Sequence, residues 1–575
     1  MARIPRILTV ATPGVLDPRL VVASARAGAL GVLDPAPIGR GANWSLRETL
    51  ERTSETLQRL GFGVRCDASE LTPAVVTSWP ANLGLVVVRN VGSALWSSAL
   101  EPVRASGRTA MAEVTSREQA VSAVAAGFDT LMIVGQEAGG WVGAETTFIL
   151  LQAVLSTVPS SVRVWARGGI GPAGAAACVA AGATGVVLDG VLALTRESAL
   201  DATVRAQVTY WDGTETTLLG RPGGPRFRGY LPKGSPLLER FAERDLSSSS
   251  VVDELQGQVG WTTGAIWPLG ADVSLASELA GRCVSVGGVI QAVEQEIDAS
   301  LAAARDAVPL APDGPLAESH ATRYPIVQGP MTRVSDRVEF ARAVADGGGL
   351  PMLALAMMRG VEVQTLLEQA TKELAGRPWG VGILGFLPPE HRDEQVKAIL
   401  EARPPFAIIA GGRPDQAHDF DQAGIVSYLH VPSPRLLAQF VRDGARRFVL
   451  EGRECGGHVG PRSSLILWEQ AGEVLHDAIN RGTPAEELHV LYAGGIHDAR
   501  SSAAVAALSG RLASRGVKVG VLVGTGYLFT KEAVATGRDR VGLPGRGPAL
   551  PVDSVARNRA RPPGACEPHA VPRPI

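Results

Sequence analysis

Histidine is absent from the whole stretch before His320, where the first of nine appears in a chain of 575 residues. Any imidazole chemistry therefore belongs to the C-terminal half. Cysteine is scarce: Cys66, Cys178, Cys283, Cys455 and Cys566 form no CxxC pair and are odd in number. That excludes a disulfide framework or a cysteine-built zinc site and points to a reducing cytoplasm. Excess charge of either sign is lacking, with 55 Lys and Arg against 57 Asp and Glu. There is no electrostatic basis for binding nucleic acid or an anionic membrane. No apolar run approaches the roughly 18 residues that span a bilayer. The opening "MARIPRILTVATPG" has too short an apolar stretch and no small-residue cleavage site, so no signal peptide is expected. What the chain has is length and glycine, 67 residues of it, and such a length calls for two or three domains.

The domains read as two copies of one plan. "LTVATPGVLDPRLVVASARAGALGVLD" parallels "YPIVQGPMTRVSDRVEFARAVADGGGLPML", and "GQEAGGWVGAETT" parallels "GRECGGHVGPRSS". Pro13 and Trp141 are separated by the same number of positions as Pro330 and His458. Matched motifs at matched spacing mark a duplication. Within each copy, uniformly apolar runs such as "GLVVV", "TLMIV", "RRFVL" and "GVLVG" alternate with helical patterns. Strands apolar on both faces belong to a parallel sheet covered by helices. The expected fold class is α/β, two tandem (β/α)8 TIM-type barrels joined by a mostly helical connector. The expected boundaries are a first barrel at 1–205 and a connector and linker at 206–318. A second barrel follows at 319–545 and a disordered Pro/Arg-rich tail at 546–575. Within the connector, "RPGGPRFRGYLPKGSP" reads as turn-rich and "PLAPDGPLAES" as a linker.

Four pieces of the second copy fall at strand C-termini, the face on which barrel sites assemble. "QGPMTR" supplies Gln328, Gly329, Pro330 and Met331, with a polarisable thioether for an aromatic ligand. "GRECGGHVG" supplies Gly456 and Gly457, which remove side chains beside His458 and leave room for a flat ring. "AGGIHD" supplies Ala493, Gly494 and Gly495, and "GTGYLF" supplies Gly524 and Thr525. These last two loops follow strands seven and eight, where backbone N–H groups cradle a phosphate. A phosphate cradle, a flat slot and a histidine at its edge describe a phosphorylated aromatic cofactor, best matched by FMN.

These motifs, in this order, resemble the nitronate monooxygenase (2-nitropropane dioxygenase-like) flavoproteins, whose superfamily includes FMN-dependent enoyl reductases. The resemblance covers Tyr324 to Gly542 well and Ile7 to Leu200 more weakly. It implies FMN contacts at Gly329, Pro330 and Met331, at Ala493 to Gly495, and at Gly524 and Thr525, with His458 as acid/base. Three positions depart from the family pattern: Gly382 replaces a polar residue, His430 a lysine, and Glu451 an aspartate. The implied activity is an FMN-dependent oxidoreductase. The alternatives are an NAD(P)H-dependent enoyl-thioester reductase of a polyketide or fatty-acid synthase, and a non-catalytic synthase scaffold. The expected partners are a small-molecule or acyl-thioester substrate, an acyl carrier protein or synthase, and a second copy of the chain.

The first copy holds Trp141 where the second holds His458, and "LDG" where the second holds "GTG". An indole transfers no proton, and Asp189 opposes a phosphate, so this barrel reads as degenerate. Glu137 and Glu145 are its candidates for binding some other ligand. One rival stands: "GIGPAG" satisfies G-x-G-x-x-G with Asp189 at the end of the next strand, as in a dinucleotide-binding half. Cys455 reads as a small buried residue and Met357 and Met358 as core; Arg453 and Arg462 read as solvated, with contact to a phosphopantetheine or nucleotide phosphate as the alternative.

Overall fold

Short apolar runs set the first level of structure. In the computed structural model, which describes residues 4–35, 46–89, 95–356, 358–457 and 459–535, they become strands. The first copy contributes β1 (Ile7–Val10), β2 (Leu30–Leu33), β3 (Phe62–Asp67), β4 (Leu83–Arg89), β5 (Thr109–Val114) and β6 (Thr130–Val134). A short β7 (Gly140–Val142), then β8 (Arg163–Arg167) and β9 (Gly185–Leu188), complete it. The connector adds β10 (Thr216–Leu219) and β11 (Arg226–Tyr230). The second copy contributes β12 (Ile326–Gln328), β13 (Leu350–Ala354), β14 (Gly380–Leu384) and β15 (Phe406–Ala410). It ends with β16 (Val426–Val431), β17 (Arg447–Glu451), β18 (His489–Ala493) and β19 (Lys518–Val523).

Two closed parallel barrels result, one from β1 to β6 with β8 and β9, the other from β12 to β19. Closure is direct, with Leu8 opposite Val187 in the first and Val327 opposite Leu522 in the second. Side chains alternate across each strand. In the second barrel Leu350, Met352, Ile408, Tyr428, Val449 and Leu491 fill the interior, while Leu353, Ile409, Leu429 and Leu450 meet the helices. The tandem-barrel fold is thus present, and a dinucleotide-binding open sheet is not: β8, which precedes "GIGPAG", lies inside a closed barrel. Among the described residues no single helix is long and apolar enough to cross a membrane. The tail at 546–575, with Cys566, and also Met357 and His458, lie outside the described residues.

The connector departs from its sequence reading in two places. "RPGGPRFRGYLPKGSP" is not all turn: Arg226, Phe227 and Arg228 alternate with period two and form β11, antiparallel to β10 and β7, with Phe227 opposite Trp141. "PLAPDGPLAES" is not a free linker either. Pro315–His320 is a helix whose Leu316 is buried with Val327, Leu350 and Met352 at one end of the second barrel's interior. There a Cβ on Gly520 would lie 2.2 Å from Leu316 Cδ2, so glycine is required for the plug to seat.

The barrels pack as a pseudo-symmetric pair. Gln152 of the first copy and Glu469 of the second occupy matching positions. Gln152 Nε2 donates to Gly495 O at 3.1 Å, and the Glu469 carboxylate accepts from Ala173 N and Gly174 N at 3.0 and 2.6 Å. Matching glycines meet matching isoleucines: a Cβ on Gly169 would sit 3.3 Å from Ile466, and one on Gly495 would sit 2.6 Å from Ile149. The helix Val286–Ala307 packs against Pro172–Ala180 of one barrel and Ala499–Ala513 of the other, and so clamps the pair.

Candidate active site

The top layer of each barrel, at the strand C-termini, shows what duplication left behind. In the second barrel, extending the inward register of each strand places Ala354, Gly382, Ala410, His430, Glu451 and Ala493 there. Side-chain volume is low, and one polar pair stands out. His430 Nδ1 lies 2.8 Å from Glu451 Oε2, while His430 Nε2 is buried and has no partner. The carboxylate fixes the ring, directs the proton to Nδ1 and leaves Nε2 as the free lone pair. Neither residue would stand out on composition. Both are positions where the sequence departs from the family pattern, and the register of β16, with Val426 and Tyr428 on the inward face, brings His430 to this layer.

The loops expected to form the site converge on this layer. Gly329 packs under Leu522, and Pro330 covers Gly382, whose added Cβ would lie 2.3 Å from the proline ring. A ligand above Gly382 would therefore meet Pro330 rather than the glycine. Met331 Sδ stands 3.9 Å from a Cβ placed on Gly524, and His497 Cβ 3.6 Å from one on Gly526, so the loops after β12, β18 and β19 touch. Gly494 joins them to the loop after β17, because its Cβ would meet Ser464 Oγ at 2.4 Å and Cys455 Sγ at 3.4 Å. Gly494 and Gly495 hold φ of +123° and +74°. Among the described residues no acceptor meets the backbone N–H of Gly495, Gly524 or Thr525. Gly456 and Gly457 face open space, Gly457 with φ +96°. Ala493 is fully buried on the inward face. Gln328 points away: its Oε1 accepts from Met352 N at 3.2 Å and its amide donates to Gly329 O, so it latches β12 to β13.

The first barrel fills the same layer with charge. Arg65 bridges Asp34 at 2.7 Å and Glu113 at 2.5 Å, Arg89 grips Asp67 at 2.6 Å, and Arg167 grips Asp189 at 2.7 Å. Burial would raise the Glu113 carboxyl, but Arg65 more than offsets it and holds the group below its ordinary value. Burial likewise works against Asp189, and Arg167 keeps it ionised, whereas Asp272 of the connector is pushed well up by burial and by Asp189. Asp189 thus spends its charge on Arg167, not on ligand repulsion or a ribose. By sequence alignment Glu113 matches His430 and Arg167 matches Ala493. A carboxylate and a guanidinium stand where the second barrel has an imidazole and a methyl.

The connector closes this mouth. Trp141 lies in β7 with its ring 5.5 Å from Phe227, in an apolar cluster with Leu219, Phe241 and Ile266. Trp261 Nε1 donates to Pro13 O at 3.0 Å, and Ala271 N to Glu137 O at 2.7 Å. Glu137 and Glu454 brace their loops identically, each accepting from the backbone N–H and hydroxyl of Thr147 or Ser464. The helix start in "GIGPAG" is occupied by Glu469 of the other barrel, which explains the motif without a nucleotide. Arg462 corrects its solvated reading: it is 8% exposed and paired with Asp212 at 2.8 Å. The sequence carries no signal for this, because Asp212 sits in the connector.

A family model described as nitronate monooxygenase matches residues 91–281 and 389–540, more than half of the chain and parts of both copies. A (3aS,4S,5R,7aS)-5-hydroxy-7a-methyl-1-oxo-octahydro-1H-indene-4-carboxyl-CoA dehydrogenase of Rhodococcus jostii (strain RHA1) is 29% identical over 217 residues. That alignment covers 36% of this chain and 58% of the relative, so the chain spans little more than half of the curated protein it matches. Among solved structures, FabK from Thermotoga maritima is 21% identical with a TM-score of 0.43, over 53% of this chain and 96% of its own. A nitroalkane oxidase from Streptomyces ansochromogenes is 19% identical with a TM-score of 0.38, over 50% of this chain and 95% of its own. With the family model spanning both copies of the tandem barrel, the chain belongs to the nitronate monooxygenase family.

Proposed function

We propose that the second barrel is the working one, an FMN-dependent oxidoreductase, and that the first is its structural sister. The observation that carries this reading is the contrast between the two top layers. One is lined by small residues around a single His430–Glu451 pair, and the other is packed with ion pairs and capped by the connector. The donor set suits a phosphorylated flavin. Free N–H groups of Gly495, Gly524 and Thr525 would hold the phosphate, and Pro330 and Met331 would form an apolar wall for the ring. When bound, FMN supplies the electron transfer, and the protein supplies binding, orientation and proton management.

The chain's own groups account for the proton steps. His430, oriented by Glu451, presents Nε2 to the mouth as a proton acceptor from a carbon acid or, once protonated, as a donor to a developing enolate. His458, expected to act as acid/base, follows Gly456 and Gly457 in sequence and lies outside the described residues. The dehydrogenase relative is named for a carboxyl-CoA compound. That favours an acyl thioester over a small nitronate as substrate, with NAD(P)H as the candidate reductant and a carrier protein as the alternative bearer of the acyl group.

The test is flavin uptake. The full chain should be yellow, or become so with FMN, and Gly524→Asp should abolish uptake by setting an anion in the cradle. Among the described residues only Met331 Sδ, at 3.9 Å, stands near the added Cβ, so the variant should still fold. A folded, colourless protein that ignores FMN would leave the scaffold reading standing instead.

A further inference from the structure

The cleft between the barrels gathers three arginines that make no ion pair among the described residues. Arg226 and Arg228 project from the same face of β11, opposite to Phe227. Arg453 comes from the loop after β17 in the second barrel. No carboxylate among the described residues lies within ion-pair distance of any of the three, although neighbouring Arg462 has Asp212. Arg228 is only 7% exposed and its bonds go to neutral groups, Gln136 O and Thr216. Burial lowers both connector arginines, Arg228 to about 10; Glu137 and Asp272 offset part of this for Arg228 and Glu243 for Arg226, while the charge of Arg453 lowers both further.

A cavity of about 70 Å³ opens beside these arginines, lined by Arg228, Arg453, Thr214, Ser463 and Glu137. Two lining atoms, Ser463 Oγ and Glu137 Oε1, are buried outside hydrogen-bonding geometry, with Ser463 still close enough to Glu137 to act on its carboxyl, and Arg226 Nε is buried without a partner nearby. Glu137 is the one carboxyl of the lining, pushed up to about 7 by burial and then by Glu454, so at neutral pH much of it is a donor rather than an anion. A buried guanidinium such as Arg228, with two half-buried ones beside it and no carboxylate within ion-pair distance among the described residues, is costly. A phosphate ester offsets that cost, because its oxygens accept from guanidinium forks and hydroxyls together.

We propose that this cavity is a subsite for a phosphate or pyrophosphate ester, the anionic handle of a ligand whose reactive end enters the second barrel. The linking element is the loop after β17. Its Gly456 and Gly457 belong to the barrel mouth, and its Arg453, Pro461, Arg462 and Ser463 line the cavity. The identity of the ligand as a substrate rests on the flavin reading above; the anion site rests on the arginines alone.

The test is calorimetric titration of the FMN-saturated full chain with pyrophosphate, then with 4′-phosphopantetheine and with adenosine 3′,5′-bisphosphate. One saturable pyrophosphate site per chain is expected, weakened about tenfold or more in Arg453→Gln and in Arg226→Gln, with flavin absorbance unchanged. Both variants spare the Arg228 bonds to Gln136 and Thr216, so folding is not at stake. Preference for phosphopantetheine would assign the handle to a carrier protein, and preference for the bisphosphate to a free coenzyme thioester. Absence of saturable pyrophosphate binding in the folded parent, or undiminished affinity in both variants, would overturn the site. A colourless protein that binds pyrophosphate through these arginines would sink the flavin reading and keep this one.

Discussion

Gly495 shows how one residue can carry two demands. Its φ of +74° and the 2.6 Å approach of Ile149 to its added Cβ fix its identity through the barrel interface, while among the described residues its N–H meets no acceptor, as the proposed phosphate cradle requires. Gly495→Ala should therefore cost about 1–3 kcal/mol of stability, read from chemical denaturation, before any effect on a cofactor. Gly457, at φ +96° but in open space, should cost less when changed to alanine. His430 is the counterpart in the proposed proton chemistry. His430→Gln should retain flavin and lose about 100-fold or more in turnover, and Glu451→Gln should lose less, since it orients the ring and does not take the proton. Normal steady-state rates in His430→Gln would reduce the pair to structure. The glycine doublets were legible in the sequence because turns at strand ends announce themselves. The packing reason for Gly495 was not, because Ile149 lies in the other copy and no periodicity reports a contact between domains.

Among the elements, the connector differs most from its reading. Its compositional cues, prolines and glycines, described turns correctly but hid β11, whose only signal is the alternation of Arg226, Phe227 and Arg228. The helix Pro315–His320 hid behind two prolines, though proline at the first helical position is an ordinary start. That helix brings a buried relay into the second barrel: His320 Nε2 meets Tyr428 OH at 2.6 Å, which meets His489 Nδ1 at 2.9 Å. Burial pulls both imidazoles down to about 3 from an ordinary 6.5. Between those values the unfolded chain binds protons that the folded chain refuses, so stability falls as pH drops below about 6.5, by up to about 1.4 kcal/mol per pH unit per histidine. Denaturant midpoints measured from neutral pH down to about pH 5 should show this slope, and His320→Gln should flatten it. Glu469 acts in the opposite direction. Burial lifts it to about 8, so the folded state holds its proton above the ordinary value of 4.5, and stability is lost as pH rises toward 8. Glu469→Gln should remove that alkaline loss, and an unchanged alkaline limb would show that its carboxylate is solvated.

At the scale of the whole molecule, the duplicated barrels face each other through matching residues and then part company at their mouths. The duplication was legible because spacing between matched motifs survives divergence, and the barrel class because most barrel strands contain apolar runs that are buried on both faces. The reason for the asymmetry was not, because Asp34, Arg65, Glu113 and Arg167 are scattered in sequence and meet only when the strands close. One barrel has turned its top layer into an ion-pair core and accepted a lid; the other has kept that layer small. The claim that follows is one of number, and equilibrium dialysis of FMN against the full chain counts it directly. The prediction is one FMN per chain, unchanged when Arg65 of the first barrel is replaced by methionine and abolished by Gly524→Asp in the second. Two flavins per chain, or binding lost through the first-barrel change and kept through the second, would contradict it.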